Sequence, residues 1–359
     1  MTNGGITLAA LGHSPAVAAL IATHPHDLVP GRVIRSDRGF AFVQTVEGLQ
    51  VARPATRLVK SAADGGIPVV GDWVLLGGDE AEPLVEVVLE RTTAIMRRDP
   101  GRSARVQVLA ANVDVVFVTH PLAGEPNLSR IERELALVWD SGAQPVILLT
   151  KADLSDDAQG ARDTVAAIAP GVDIHITSAA TGAGIDEALV YLAGGRTAVL
   201  IGPSGSGKST LVNALAGEDV QETREVRVAD GRGRHTTVSR ELIVLPGGGL
   251  IIDTPGLRAV GMWDSSEGLA QAFSDIDALA AHCRFRDCRH EGEPGCAVEA
   301  AVERGELAGR RLDSFRELQA EIATVNEQLD VRARLEKKRE DKILARSIKD
   351  FYKNGDKRR

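Results

Sequence analysis

Only three cysteines occur in 359 residues, and all three fall between Cys283 and Cys296. An odd, clustered set rules out a disulfide framework and suits a metal site in a reducing compartment, with the cytoplasm as the expected location. Long apolar runs are also missing, which argues against a bilayer-spanning helix and a membrane partner. The stretch from Leu8 to Ala22 is broken by Gly12, His13, Ser14 and Pro15 and has no basic leader, so it reads as an amphipathic helix or a mobile arm. No internal repeat is visible. What is present is ordinary for a globular chain: 43% hydrophobic and 26% charged residues. The length suggests two or three domains.

The formal net charge of −8 conceals an asymmetry. From Val331 to Arg359 twelve Lys or Arg face five Asp or Glu, so a basic tail follows an acidic body. Such a tail suits a polyanion such as nucleic acid, the plain alternative being a solvated charge run.

From about Val29 to Glu90, short β-type runs alternate with turn residues: Arg32 to Ile34, Gly39 to Val43, Leu49 to Val51, Asp72 to Leu76 and Leu84 to Leu89. Five short strands suggest a small barrel, OB-like or SH3-like. After a basic connector, Arg97 to Arg105, apolar strands alternate with helical segments. Expected strands are Val113 to Val118, Pro145 to Leu149, Asp173 to Ile176, Thr197 to Ile201, Glu241 to Leu245 and Leu250 to Ile252, with helices at Ser129 to Asp140 and Asp156 to Ala169. This pattern predicts a mainly parallel sheet covered on both faces. Beyond Trp263 the texture is helical.

The segment Gly202-Pro203-Ser204-Gly205-Ser206-Gly207-Lys208-Ser209 satisfies the P-loop pattern, after an apolar strand and before a helix-like run that starts at Thr210. Glycines let backbone N–H groups turn around phosphates, the helix N-terminus adds its dipole, Lys208 reaches the β and γ oxygens, and Ser209 is placed to bind Mg²⁺. A chance glycine-rich turn is the competing explanation. Asp253-Thr254-Pro255-Gly256 ends the run Leu250 to Ile252, placing a Mg²⁺-directed Asp253 at a strand terminus and the Gly256 N–H toward a γ-phosphate. An ATP-binding cassette enzyme would carry an acid directly after Asp253 and an LSGGQ-like segment; neither is present.

Thr150-Lys151-Ala152-Asp153 follows Val146 to Leu149 and resembles the NKxD guanine box, with Thr in place of Asn. Asp153 is suited to accept from guanine N1 and N2, and Lys151 to lay its stem along the base. Ser178 and Ala179, within Thr177-Ser178-Ala179, match a second base loop one strand later. Both loops precede the phosphate loop, the reverse of the usual order. A parallel sheet tolerates this circular permutation, because the site is assembled in space. Between the phosphate loop and the next strand, Thr237 is the expected switch residue on Mg²⁺, preferred over Thr236. Leu257 stands where Ras-like proteins have a water-orienting Gln, so His235 is the candidate for the hydrolytic step.

Cys283-x4-Cys288-x-His290-x5-Cys296 offers three thiolates and one imidazole, the donor set of a closed structural Zn²⁺ site, with His282 a weaker alternative ligand. Taken together, over about residues 30 to 300, the chain resembles the ribosome-small-subunit-dependent GTPase A (RsgA) family. The resemblance implies an α/β P-loop GTPase domain, circularly permuted, preceded by an all-β OB-fold barrel and followed by a mainly helical zinc-binding domain. The expected bounds are 1–28 for an N-terminal arm, 29–96 for the barrel, 97–262 for the GTPase domain, 263–330 for the zinc domain and 331–359 for the tail. It further implies a cytoplasmic, monomeric GTPase using Mg²⁺ and one Zn²⁺, binding GTP or GDP, stimulated by the small ribosomal subunit and its rRNA during late maturation, with His235 assigned to hydrolysis. The family's usual residue at position 150 is Asn. An RNA-binding scaffold that uses nucleotide only structurally is the rival reading.

Overall fold

The computed structural model describes residues 6–37, 39–60, 67–79, 81–98, 106–217, 240–253, 266–324 and 326–327. The first layer is a barrel of β1 (Val29–Asp37), β2 (Phe40–Gln44), β3 (Leu49–Pro54), β4 (Trp73–Gly78) and β5 (Pro83–Val88). Their order is β1-β2-β3-β5-β4, with β4 pairing back to β1, so the sheet closes. This ring, with helix α2 (Thr56–Lys60) between β3 and β4, settles the OB-like alternative over the SH3-like one. Alternation drives it: Val33, Ala41, Val43, Ala52, Val74, Leu76 and Val85 point inward and pack together.

The second layer is the nucleotide-fold sheet. It contains β8 (Val115–Pro121), β9 (Gln144–Thr150), β10 (Asp173–Ile176), β11 (Thr197–Ile201), β12 (Glu241–Val244) and β13 (Leu250–Asp253). The order is β10-β9-β8-β11-β13-β12, parallel throughout except for the antiparallel pair β12–β13. These strands read as unbroken apolar runs because both faces are covered. Val116, Val118, Ile147 and Leu149 join the core under α3 (Leu128–Asp140), while Val115, Phe117, Val146 and Leu148 meet α6 (Lys208–Ala216). One residue pair, Arg35 with Glu241, joins β1 to β12, so barrel and sheet form one eleven-stranded surface among the described residues.

Two segments go beyond the barrel and the sheet. The N-terminal stretch is docked: Ala9–Leu11 forms a 3-10 turn and α1 spans Pro15–Ala22, with Ser14 as its N-cap. Leu11 and Val17 are buried against Trp73, Leu75 and Leu89, so hydrophobic burial excludes the mobile-arm alternative. A further ladder, β6 (Ala94–Arg98) with β7 (Val106–Ala111), flanks the basic connector, and Ile95 and Leu109 enter the main core. Residues 99–105 of that connector lie outside the described residues.

Two buried guanidinium groups fasten these parts. Arg32, 2% exposed, donates to the carbonyls of Leu11 (2.6 Å), Gly71 (3.2 Å) and Asn112 (3.0 Å), linking the N-terminal turn, a barrel loop and the entry to β8. Burial pulls its pKa down to about 10, against the opposing pull of Asp114 and Asp72. Arg311 sits on a helix over 309–324 and bonds Asp275, Glu132 and the carbonyls of Ile168 and Ala272. Burial opposes its charge, but Asp275 and Glu132 more than offset this and hold its pKa above the ordinary value. Removing it leaves Glu132, which is 0% exposed, to the partly exposed Arg310 and strips Asp275 of its bidentate partner. Arg311→Met is therefore expected to cost about 3–5 kcal/mol in denaturant unfolding. Arg310→Met, whose half-exposed side chain also reaches Glu132, should cost under about 1 kcal/mol; equal costs would contradict a stabilising role for the buried network.

Candidate functional site

The phosphate-loop residues lie between β11 and α6, as the pattern requires. Gly202, Gly205 and Gly207 take φ of +140°, +79° and +84°, values that side chains rarely adopt. Gly202 is needed for a second reason: a Cβ there would lie 2.2 Å from the Thr119 carbonyl and 2.5 Å from its Oγ1. The end of β8 therefore presses directly on the loop. Lys208 Nζ donates to the carbonyls of Gly202 (3.0 Å) and Pro203 (2.7 Å) and to Ser206 Oγ (3.3 Å). Ser206 is fully buried, whereas Ser204, Gly205, Ser209 and Thr210 are exposed at the mouth.

The base-box residues converge on the same mouth from β9 and β10. Lys151 adopts the left-handed conformation (φ 58°), turning the chain from the end of β9 into the short helix Ala152–Leu154 that carries Asp153. Ser178 Oγ donates to Asp153 Oδ1, and Ala152 N–H donates to the Thr177 carbonyl at 3.1 Å, so the two base loops are tied together. The Lys151 side chain runs beside Gly207, its Cε 3.8 Å from where a Cβ would stand. A cleft of about 230 Å³ is lined by Thr150, Lys151, Asp153, Ala179, Gly207 and Thr210, with Leu154, Thr177, Ala180 and Leu211. Residues 150–179 thus meet residues 207–211 in space although they precede them in sequence.

Asp253 ends β13, beside β11 in the sheet. His235, Thr236, Thr237 and Gly256 lie outside the described residues. Sequence reasoning missed Thr119, a buried hydroxyl against Ser206 Oγ at 2.8 Å; its one signal is a polar residue closing the apolar run Val115 to Val118. It also missed Leu154, exposed at the cleft wall.

A second cluster lies in the helical region. The donor atoms of Cys283, Cys288, His290 and Cys296 all fall within 4.8 Å of one another. His290 Nδ1 stands 3.7 Å from Cys283 Sγ and 3.4 Å from Cys296 Sγ. Tetrahedral Zn²⁺ with ordinary Zn–S and Zn–N bonds requires a nitrogen–sulfur separation of about 3.6 Å, which these distances bracket. Cys296 caps the helix Ala297–Glu303, and the N–H groups of Ala297 and Glu299 point at Cys283 Sγ (3.3 Å) and Cys296 Sγ (3.4 Å). Burial works against a Cys283 thiolate, but the Ala297 and Val298 N–H groups outweigh it and lower its pKa. Glu293 pins the loop by accepting from Arg289 and Glu291 N–H, contacts that hold its pKa down at about 2. His282 is exposed and outside the cluster.

Known proteins resemble this chain in sequence and fold. Residues 88–263 match the RsgA GTPase family model. A "Small ribosomal subunit biogenesis GTPase RsgA" from Streptomyces avermitilis is 48% identical over 322 residues, covering 88% of this chain and 86% of that protein. The crystal structure of YjeQ from Thermotoga maritima superposes with a TM-score of 0.62 at 28% identity, covering 81% of this chain and 99% of that one. YloQ, described as a circularly permuted GTPase, superposes with a TM-score of 0.58 at 29% identity, covering 84% of this chain and 97% of that one.

The contact at Gly202 generates a discriminating expectation. Gly202→Ala should cost about 1–3 kcal/mol through overpacking against β8 in addition to its backbone strain. Gly205→Ala meets no atom within 4 Å and should incur strain alone. Equal shifts of the two variants in thermal unfolding would contradict the close approach of β8.

Proposed function

The chain belongs to the RsgA family and is a GTPase, and from that premise we propose that its GTP hydrolysis is coupled to binding of the small ribosomal subunit and serves late maturation of that particle. The observation that carries this reading is the single cleft shared by Asp153 and the residues beside the phosphate loop, in a chain whose relatives are named for small-subunit biogenesis. Asp153 accepts from guanine N1 and N2, a pattern adenine does not offer, while Lys151 covers the base and Thr150, Ser178 and Ala179 border it. Backbone N–H groups of Gly202 and of Ser204 to Thr210 cradle the phosphates, and Lys208 draws charge from the β and γ oxygens. Ser209, Thr237 and Asp253 would hold Mg²⁺, which would supply further charge neutralisation there. Gly256 senses the γ-phosphate and His235 orients the attacking water.

The protein works as a cytoplasmic monomer, and its RNA contact is supported by the barrel. The outer face of β2–β3 exposes Phe40, Leu49 and Val51; Arg53 stacks 5.0 Å from the Phe40 ring and Arg35 3.8 Å from the Phe42 ring. That combination of cations and flat rings on an OB-like strand face suits single-stranded RNA. The basic segment 331–359 lies outside the described residues.

Turnover of GTP should rise roughly tenfold or more when purified small subunits are added, with ATP turned over poorly under both conditions. His235→Ala should lower stimulated turnover by roughly 100-fold while sparing GTP affinity. Binding to subunits without any stimulation would favour the scaffold reading instead. Cys283, Cys288, His290 and Cys296 would hold zinc with all four positions filled by protein, so the metal would serve structure and not catalysis. Metal analysis under reducing conditions should find one zinc per chain, and Cys288→Ser should lose both the metal and helical signal; a metal-free, fully folded wild-type protein would remove zinc from the proposal.

A further inference from the structure

We infer that Thr119, at the end of β8, is a positioning residue for the phosphate-binding lysine, acting through Ser206, and that Thr150 holds the same loop from β9 instead of reading the base. The inference rests on the reading of residues 202–209 as a phosphate loop. Thr119 is 0% exposed, and its hydroxyl donates to the Ile201 carbonyl at 2.8 Å. Its one proton is committed there, so in the 2.8 Å contact with Ser206 Oγ it is the acceptor. Ser206 therefore points its proton backward and offers a lone pair to Lys208 Nζ, 3.3 Å away. An ammonium only donates and a carbonyl only accepts, which fixes the polarity of the whole chain from Lys208 through Ser206 and Thr119 to Ile201.

Thr150 closes the second brace. Its hydroxyl is 5% exposed as a residue and donates to the Ser206 carbonyl at 2.6 Å, with the His120 carbonyl 3.4 Å away. In a trans peptide the N–H points opposite to the C=O, and no cis bond occurs among the described residues. Holding the Ser206 carbonyl toward β9 thus aims the Gly207 N–H away from β9, and holding the Ile201 carbonyl toward Thr119 does the same for Gly202. Two strand-end hydroxyls orient two loop peptides and one lysine. With Thr119 absent, the Ser206 O–H is free to turn its proton toward the ammonium, setting like partial charges face to face. With its proton given to Ser206, Thr150 has none to donate to guanine, which explains how Thr serves at a position where an amide is expected.

The test is equilibrium binding of GTP, GDP and inosine triphosphate, which lacks the 2-amino group, to the full chain and its variants. Thr119→Val and Thr150→Val should each weaken GTP and GDP about tenfold, the loss of one hydrogen bond to a charged network. Inosine triphosphate should weaken by the same factor, leaving the GTP preference intact, and Thr119→Ser should restore wild-type affinity. Asp153→Asn is the contrast, collapsing the preference. If Thr119→Val does not fold, Ser206→Ala breaks the same link from the loop side and should show the same tenfold loss. Wild-type affinity in Thr119→Val, or a GTP preference that falls in Thr150→Val as it does in Asp153→Asn, overturns the inference alone. A wild-type chain that does not bind GTP overturns the site reading and the inference with it.

Discussion

The contact between the end of β8 and the phosphate loop is the constraint on which the site depends. Gly202 approaches the Thr119 carbonyl too closely for any side chain, and buried hydroxyls from Thr119 and Thr150 reach Ser206 from two neighbouring strands. A loop with three left-handed or extended glycines has little conformational preference of its own, so its shape is imposed from behind. Strand pairing supplies that support: β8 lies between β9 and β11, which brings residues 119 and 150 to residue 206 across gaps of 87 and 56 residues. Circular permutation leaves this arrangement untouched, because hydrogen-bonded neighbours in a parallel sheet are set by order in space and not by order along the chain.

Much of this was legible from local pattern. The phosphate loop, the base box and the cysteine spacing are each short, so residue identity and spacing fully describe them, and all six strands expected in the nucleotide fold occur within a few residues of their expected ends. What remained hidden is non-local. Thr119 gains its meaning only when β8 and β11 pair, and nothing in Val115 to Pro121 announces a partner at Ser206. Arg32 looks like a surface cation in an alternating strand, yet its acceptors come from positions 11, 71 and 112. The ladder β6–β7 escaped notice because a basic stretch separates its two short strands.

The permutation also determines where the chain goes after the nucleotide site. In this order the chain leaves β13 at Asp253 and resumes, among the described residues, as the helix Ser266–Ala272 lying on α3. Gly268 makes that crossing close: a Cβ there would lie 2.3 Å from the Ala136 carbonyl. Arg311 then fastens this helix, through Ala272, and the next one, Ser274–Ala280, through Asp275, to Glu132 of α3, and the thiol cluster packs on the core through Cys296. The helical region is thereby attached to α3 by burial, by close helix contact and by a buried ion network.

Helix α3 in turn begins just beyond β8, and its Glu134 holds the buried His120 at 2.7 Å, one residue after Thr119. From the phosphate loop to the helical region that carries the thiol cluster the connection is therefore short: Ser206, Thr119, the β8 terminus, α3 and the Arg311 network. Packed interiors deform little, so β8 and α3 form a stiff backing for the loop. The order of the boxes also sets how the chain leaves the sheet. With the base loops at the front, β13 is the last strand of the sheet in chain order, and among the described residues the chain resumes on α3, whose Glu134 holds His120 at the end of β8.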